Sequence, residues 1–157
     1  MKSSVLFVLN LLSKFWIVRT SGLYGPGGKN FVTTIIKKAS ESSAIHVVND
    51  QIGSPTYSED LASGMRELVR GSESGIYHIT NSDCCSWYDF AKEIIREENF
   101  NCEVHPIHSN ELTRPARRPQ NWRLNNFMWE NEKLKPLRIW REALLDYIKS
   151  IKREMTR

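Results

Sequence analysis

The chain has 157 residues, 40% of them hydrophobic and 25% charged, and its 22 Lys and Arg against 18 Asp and Glu give a net charge of +4. A chain this long buries roughly 68–70% of the surface it exposes when unfolded; it needs neither disulfides nor a metal to hold it together, and its composition excludes a disordered or membrane-embedded protein. The basicity is too mild to argue for nucleic acid, and Cys84, Cys85 and Cys102 form neither a closed disulfide set nor a zinc or redox pair with a two-residue spacer, so a reducing cytoplasm is the expected location.

At the N-terminus, Lys2 precedes the apolar run Val5 to Leu12. Asn10 interrupts the run, Lys14 follows it and no A-x-A-like cleavage site appears, so a buried helix is expected here instead of a signal peptide. The run is also far short of a membrane span. Phe15-Trp16-Ile17-Val18 reads as a strand buried on both faces, as in a parallel sheet. Gly22 to Asn30 is a loop of turn formers, and Asn30 is placed to cap a helix carrying Phe31, Thr34, Ile35 and Lys38. Ile45 to Val48 is the next strand and Asn49 to Tyr57 a polar loop. Ser58 is the expected cap of a second helix, with Glu59 and Asp60 in its first turn and Leu61, Met65, Leu68 and Val69 as its apolar stripe. Ile76 to Ile79 is a strand. Ser86 caps a third helix with Trp87, Phe90, Ala91, Ile94 and Ile95 inward. Glu103 to Ile107 is a short strand, Thr113 to Arg123 an extended loop with four arginines, and Ile139 to Ile151 a last helix with Leu144, Leu145, Ile148 and Ile151 inward. Strands alternating with helices predict an α/β architecture of few parallel strands with flanking helices.

Few groups in this pattern can carry chemistry. Gly25-Pro26-Gly27-Gly28-Lys29 lacks the P-loop spacing, and no G-x-G-x-x-G follows the first strand. A glycine loop after a strand's carboxyl end, with Lys29 beside a helix start, serves either a phosphate-bearing ligand or an ordinary turn. Tyr88 and Lys92 have the Tyr-x-x-x-Lys spacing of reductases, yet they sit in the first turns of a helix, where a structural tyrosine and a solvated lysine are expected. Arg114, Arg117, Arg118 and Arg123 offer a diphosphate clamp or a solvated loop; Trp122 is a single ring, no stacking platform for nucleic acid. The histidines (His46, His78, His105, His108) show no metal-ligand spacing, and His78 reads as a partly buried strand residue.

Taken together, WIVRTSGLYGPGGKNF, DQIGSPTYSEDLA, GIYHIT, CSWYDFAKEI and RPARRPQNWRLNN, in this order and spacing, resemble the C-terminal half of the dTDP-4-dehydrorhamnose reductases, which are extended short-chain dehydrogenase/reductases. The likeness covers about Ser13 to Ser150. It implies the C-terminal part of an extended Rossmann-type reductase. It further implies NAD(P)H-dependent reduction of dTDP-4-dehydro-L-rhamnose in dTDP-rhamnose biosynthesis for cell-surface polysaccharide. Residues 1–157 are then one partial domain: the end of the Rossmann sheet plus the sugar-nucleotide-binding region, without the cofactor-binding half.

The chain departs from the family pattern in three places. Its N-terminal segment holds neither the glycine fingerprint nor the catalytic Tyr-x-x-x-Lys, so no catalytic residue is expected and NAD(P)H is not expected to bind this chain tightly by itself. Gly22 stands where the family usually carries a tryptophan that contacts the deoxysugar, which removes a large apolar contact. Trp122 stands where the family tends to have a small hydroxyl residue. The ligand contacts implied by position are Arg19, Ser21, Gly22, Lys29, Asn30 and Gln51, with Arg117 and Arg118 for the diphosphate. The expected partners are a dTDP-sugar and either a second copy or a complementary Rossmann half, because parallel strands lacking their neighbours leave an open edge. The alternative is a non-catalytic binding or regulatory module, as in relatives that serve methionine adenosyltransferase.

Overall fold

The computed structural model describes residues 12–112, 116 and 118–155. Most of the run Val5 to Leu12 therefore lies outside the described residues, as do Arg114 and Arg117. The strands are β1 (Trp16–Arg19), β2 (Leu23–Tyr24), β3 (Ala44–Val48), β4 (Ile52–Gly53), β5 (Thr56–Tyr57), β6 (Gly75–His78), β7 (Cys85–Ser86) and β8 (Glu103–Ile107). The helices are α1 (Phe31–Glu41), α2 (Ser58–Gly71), α3 (Trp87–Glu98), the short α4 (Phe127–Asn131) and α5 (Trp140–Met155).

Four strand pairs organise the chain. β1–β6, β2–β5 and β3–β8 are parallel, as the alternation of strands and helices predicts; β4–β7 is antiparallel. β1 falls short of the expected burial on both faces: Trp16, Ile17 and Val18 are only half-buried and Arg19 is exposed. The reason is that, among the described residues, β6 is its sole paired neighbour.

The helix starts follow local chemistry. The Asn30 side chain accepts from the Thr33 amide at 3.1 Å while the Thr33 hydroxyl accepts from the Asn30 amide, a reciprocal box that satisfies two end donors of α1. Ser86 and Asp89 do the same for α3, and Asn99 closes that helix in the left-handed region at φ +55°. Ser58 corrects the expectation: it is the first helical residue of α2, and Tyr57 precedes it as a cap without a side-chain bond. The Tyr57 amide instead donates to Asn81 Oδ1 at 2.8 Å. Met65 and Val69 are a second correction. They are exposed, because α2 buries Gly64 and Leu68. Gly64 lies against Trp129 and Leu137, and Leu61 stays partly buried beside Leu68, which leaves Met65 and Val69 on the outer side.

The main core unites α1, α3 and α5. Val32, Ile35, Phe90, Ile94, Trp140, Leu144 and Ile148 are buried in it with Tyr24, Tyr57 and Tyr147. Leu145, expected inward, is only half-buried; Ala143, Leu144, Tyr147 and Ile148 form the inner face of α5. A smaller core of Leu68, Tyr77, Ile79 and Trp129 underlies β1 and β6. The two regions are joined through Asn81, whose amide donates to Asp60 at 2.7 Å and to the Arg138 carbonyl at 3.1 Å. Arg138 in turn makes a two-pronged pair with Asp60 and bonds Asp146, which holds the Asp146 carboxyl below the usual carboxylate range.

Candidate sugar-nucleotide site

The turn after β1 must bend sharply, and Gly22 supplies it at φ +55°, a conformation that side chains oppose. The Gly22 carbonyl accepts from the Thr56 amide at 3.1 Å and the Ser21 hydroxyl donates to the Ser54 carbonyl at 3.3 Å, tying this turn to the loop before β5. Beyond the turn, at the carboxyl ends of β1 and β3, lies a cavity of about 520 Å³. Its floor is apolar and aromatic, from Phe31, Ile35, Val47 and Trp87, and Lys29, Lys38 and Arg118 bring three cations to it. Phe31 and Trp87 meet at 4.5 Å between ring centroids. An apolar floor edged by a few convergent charges, at the carboxyl ends of parallel strands, is the usual form of a small-ligand site in α/β proteins.

A second, more polar cavity of about 530 Å³ is lined by Asp50, Gln51, His108, Ser109 and Gln120, and Arg118 borders it too. Arg118 thus stands between the two cavities. Gln51 is buried, and Asp50 accepts from the Ser109 hydroxyl at 2.7 Å and from its amide at 3.0 Å. The Ser109 hydroxyl holds the Asp50 carboxyl below its ordinary value. A depressed carboxylate stabilises the fold above its unfolded value, and that contribution is lost as pH falls through the folded one. Ser109→Ala is therefore expected to move the Asp50 titration upward, and any stability difference from wild type should vanish in acid once Asp50 is protonated in both. Carboxyl carbon NMR across pH checks this; an unchanged Asp50 midpoint would contradict it.

Of the residues expected to contact ligand, Gly22, Lys29, Asn30 and Arg118 come together at the first cavity, and Gln51 at the second. Asn30 is already fully used: besides capping α1, its amide donates to the Gly25 carbonyl and to the Tyr147 hydroxyl, both at 2.9 Å. Arg19 and Ser21 line neither cavity, and Arg117 lies outside the described residues. The sequence reading misses Lys38, His46 and Trp87 as lining residues. Each lies on an expected helix or strand, but no local pattern turns it toward the cavity that Lys29 lines.

Other expectations find a place as well. The Lys92 ammonium sits over the Tyr88 ring, 5.3 Å from its centroid, a cation–π contact that packs the pair along the helix. His78 Nδ1 is 3.1 Å from the Asn125 carbonyl. The buried tyrosines near the glycine loop resist ionisation: desolvation pushes Tyr57 up to about 12 and Tyr24 higher. Among the described residues no group of His, Cys, Asp and Glu is arranged for a metal, and no helix is long and apolar enough to cross a membrane.

Parallel strand pairs with flanking helices, and a charged, aromatic cavity at the strands' carboxyl ends, define an α/β unit of the small-ligand-binding class. The RmlD substrate binding domain matches residues 6–153, and the chain belongs to that family. It is 42% identical over 132 residues to the spore coat polysaccharide biosynthesis protein SpsK of Bacillus subtilis, covering 84% of this chain and 46% of that one. It is 39% identical over 137 residues to dTDP-4-dehydrorhamnose reductase of Streptomyces griseus, covering 83% and 45%. Among solved structures it superimposes on a dTDP-4-dehydrorhamnose reductase of Clostridium acetobutylicum with a TM-score of 0.92 at 38% identity, covering 96% of this chain and 54% of that one. The Bacillus anthracis reductase, solved with NADP, gives 0.88 at 38%, covering 95% and 52%. The chain spans about half the length of these relatives. They bear out the resemblance to the dTDP-rhamnose pathway reductases, and nothing in them supports the regulatory-module alternative.

Proposed function

We propose that this chain is the sugar-nucleotide-binding part of a dTDP-4-dehydrorhamnose reductase, and that its ligand is a dTDP-linked deoxysugar. The cavity of Phe31, Ile35 and Trp87, edged by Lys29, Lys38 and Arg118, carries the reading. Its rings offer area to a planar base or a deoxysugar face, and its cations offer charge-assisted bonds to a diphosphate. Calorimetric titration with dTDP-L-rhamnose tests it. Binding should weaken as salt rises, and Arg118→Ala should lower affinity about tenfold, the equivalent of one charged hydrogen bond. Absence of binding, or binding indifferent to salt, would contradict the reading.

We propose that this chain alone does not hold a dinucleotide of the NADP type tightly, a reading supported by two positions of the glycine loop. Gly25 closes onto protein: a Cβ there would come 1.9 Å from Ser58 Oγ. The Asn30 side chain at the start of α1 is saturated by protein partners. We therefore derive no reductive step on this chain and assign cofactor binding to a complementary Rossmann half. Residues 1–157 act as one partial domain. The partner half, or a second copy, meets the edge of β1 that no described residue pairs, where Trp16, Ile17 and Val18 are only half-buried. Met65 and Val69, exposed on the helix that packs against β1, add apolar surface for the same contact. We place the assembly in the reducing cytoplasm, in keeping with three free thiols.

A further inference from the structure

Residues 120–122 are tied to β4 by two main-chain bonds: the Ile52 amide donates to the Gln120 carbonyl at 2.7 Å and the Trp122 amide donates to the Ile52 carbonyl at 2.9 Å. Two such bonds on a partly exposed segment are worth only about 1 kcal/mol each. The larger anchor is the indole. It lands where two glycines leave room. A Cβ at Gly53 would come 1.9 Å from Trp122 Cδ2, and a Cβ at Gly22 would come 2.6 Å from Trp122 Cζ3. Carbon atoms in contact prefer about 3.5–4.0 Å, so any side chain at either position evicts the ring. The indole also stacks on Trp87 at 4.6 Å and 18° between planes, and Trp87 continues to Phe31. Two of the residues touching it, Gly22 and Trp87, line the same cavity as Arg118, which lies four positions upstream on the same segment.

We infer that Trp122 is a positioning residue of this site: its indole, seated on Gly22 and Gly53 and stacked on Trp87, fixes the segment that carries Arg118 at the cavity rim, where the guanidinium meets the ligand's diphosphate. This rests on the dTDP-sugar reading above. The two glycines and the tryptophan form one matched set. Changing any member alone loosens the same segment, although neither Gly53 nor Trp122 lines the cavity itself.

The test is a double-substitution cycle read by dTDP calorimetry at several salt concentrations. Trp122→Ser removes the ring; Gly53→Ala, at a position with no left-handed constraint, displaces it. Each is expected to weaken dTDP about tenfold and to flatten its salt dependence as Arg118→Ala does. The combined Gly53→Ala/Trp122→Ser chain should bind no more weakly than Trp122→Ser, since the three atoms nearest the added methyl all belong to the ring that is then gone. Trp122→Phe, which keeps a ring, should retain wild-type salt dependence and guards against a trivial folding defect. A wild-type affinity in Trp122→Ser, an unchanged salt slope, or an additive loss of about a hundredfold in the double chain would overturn the inference while wild type still binds. A wild-type chain that ignores dTDP would instead overturn the ligand reading, and the positioning role with it.

Discussion

Replacing Trp140 by alanine is expected to cost about 3–5 kcal/mol, the range for emptying a fully buried tryptophan site. Trp140 opens α5, is fully buried, and meets Phe90 edge-on at 5.5 Å and 81°. The Arg141 guanidinium lies 4.3 Å from the Trp140 ring centroid, and the Trp140 amide donates to the Ser82 carbonyl at 3.1 Å. The ring therefore links α5 to α3, while the backbone bond links the start of α5 to the segment before β7. Alanine keeps the backbone bond and loses the ring, so the effect isolates packing. For a chain of this size such a loss lowers the melting temperature by on the order of 10 °C. Thermal and denaturant unfolding measure it; a change under 1 kcal/mol would show that α5 is not part of the main core.

Trp140 also shows where the sequence was legible and where it was not. The last helix is plain from Leu144, Ile148 and Ile151 at helical spacing, yet its two largest inward side chains, Trp140 and Tyr147, stand out only once α3 and the glycine loop are packed against it. Tyr147 faces inward because its hydroxyl donates to the Gly25 carbonyl at 2.9 Å, a contact 122 positions away that no local pattern encodes. The capping boxes at Asn30 and Ser86 were readable because each is a local exchange within four residues. Ser58 offers a capping hydroxyl but Leu61, three positions on, cannot return the bond; its hydroxyl packs against Gly25 and the Tyr57 amide is taken by Asn81. Strands β2, β4, β5 and β7 have two residues each, too short for alternation to register.

The site was legible in its cations and glycines more than in its floor. Lys29 and Arg118, named as ligand contacts from the family resemblance, both line the cavity. Trp87 reads in the sequence as one more inward residue of α3, whereas it is half-buried and turned to the cavity, held between Phe31 and Trp122. Gly22 and Trp122, which read as two separate departures from the family pattern, are neighbours in space: the ring from one position fills the room left by the other. Long-range packing of this kind has no period and no motif, so one sequence cannot display it.

The central claim is that this chain binds the sugar nucleotide and depends on another half for hydride chemistry. NADPH absorbance followed with dTDP-4-dehydro-L-rhamnose tests it most directly. The account predicts no loss above the protein-free blank for the chain alone, and measurable turnover once a cofactor-binding half, such as that of the Clostridium acetobutylicum relative, is supplied with it. Sustained turnover by the chain alone would contradict the account.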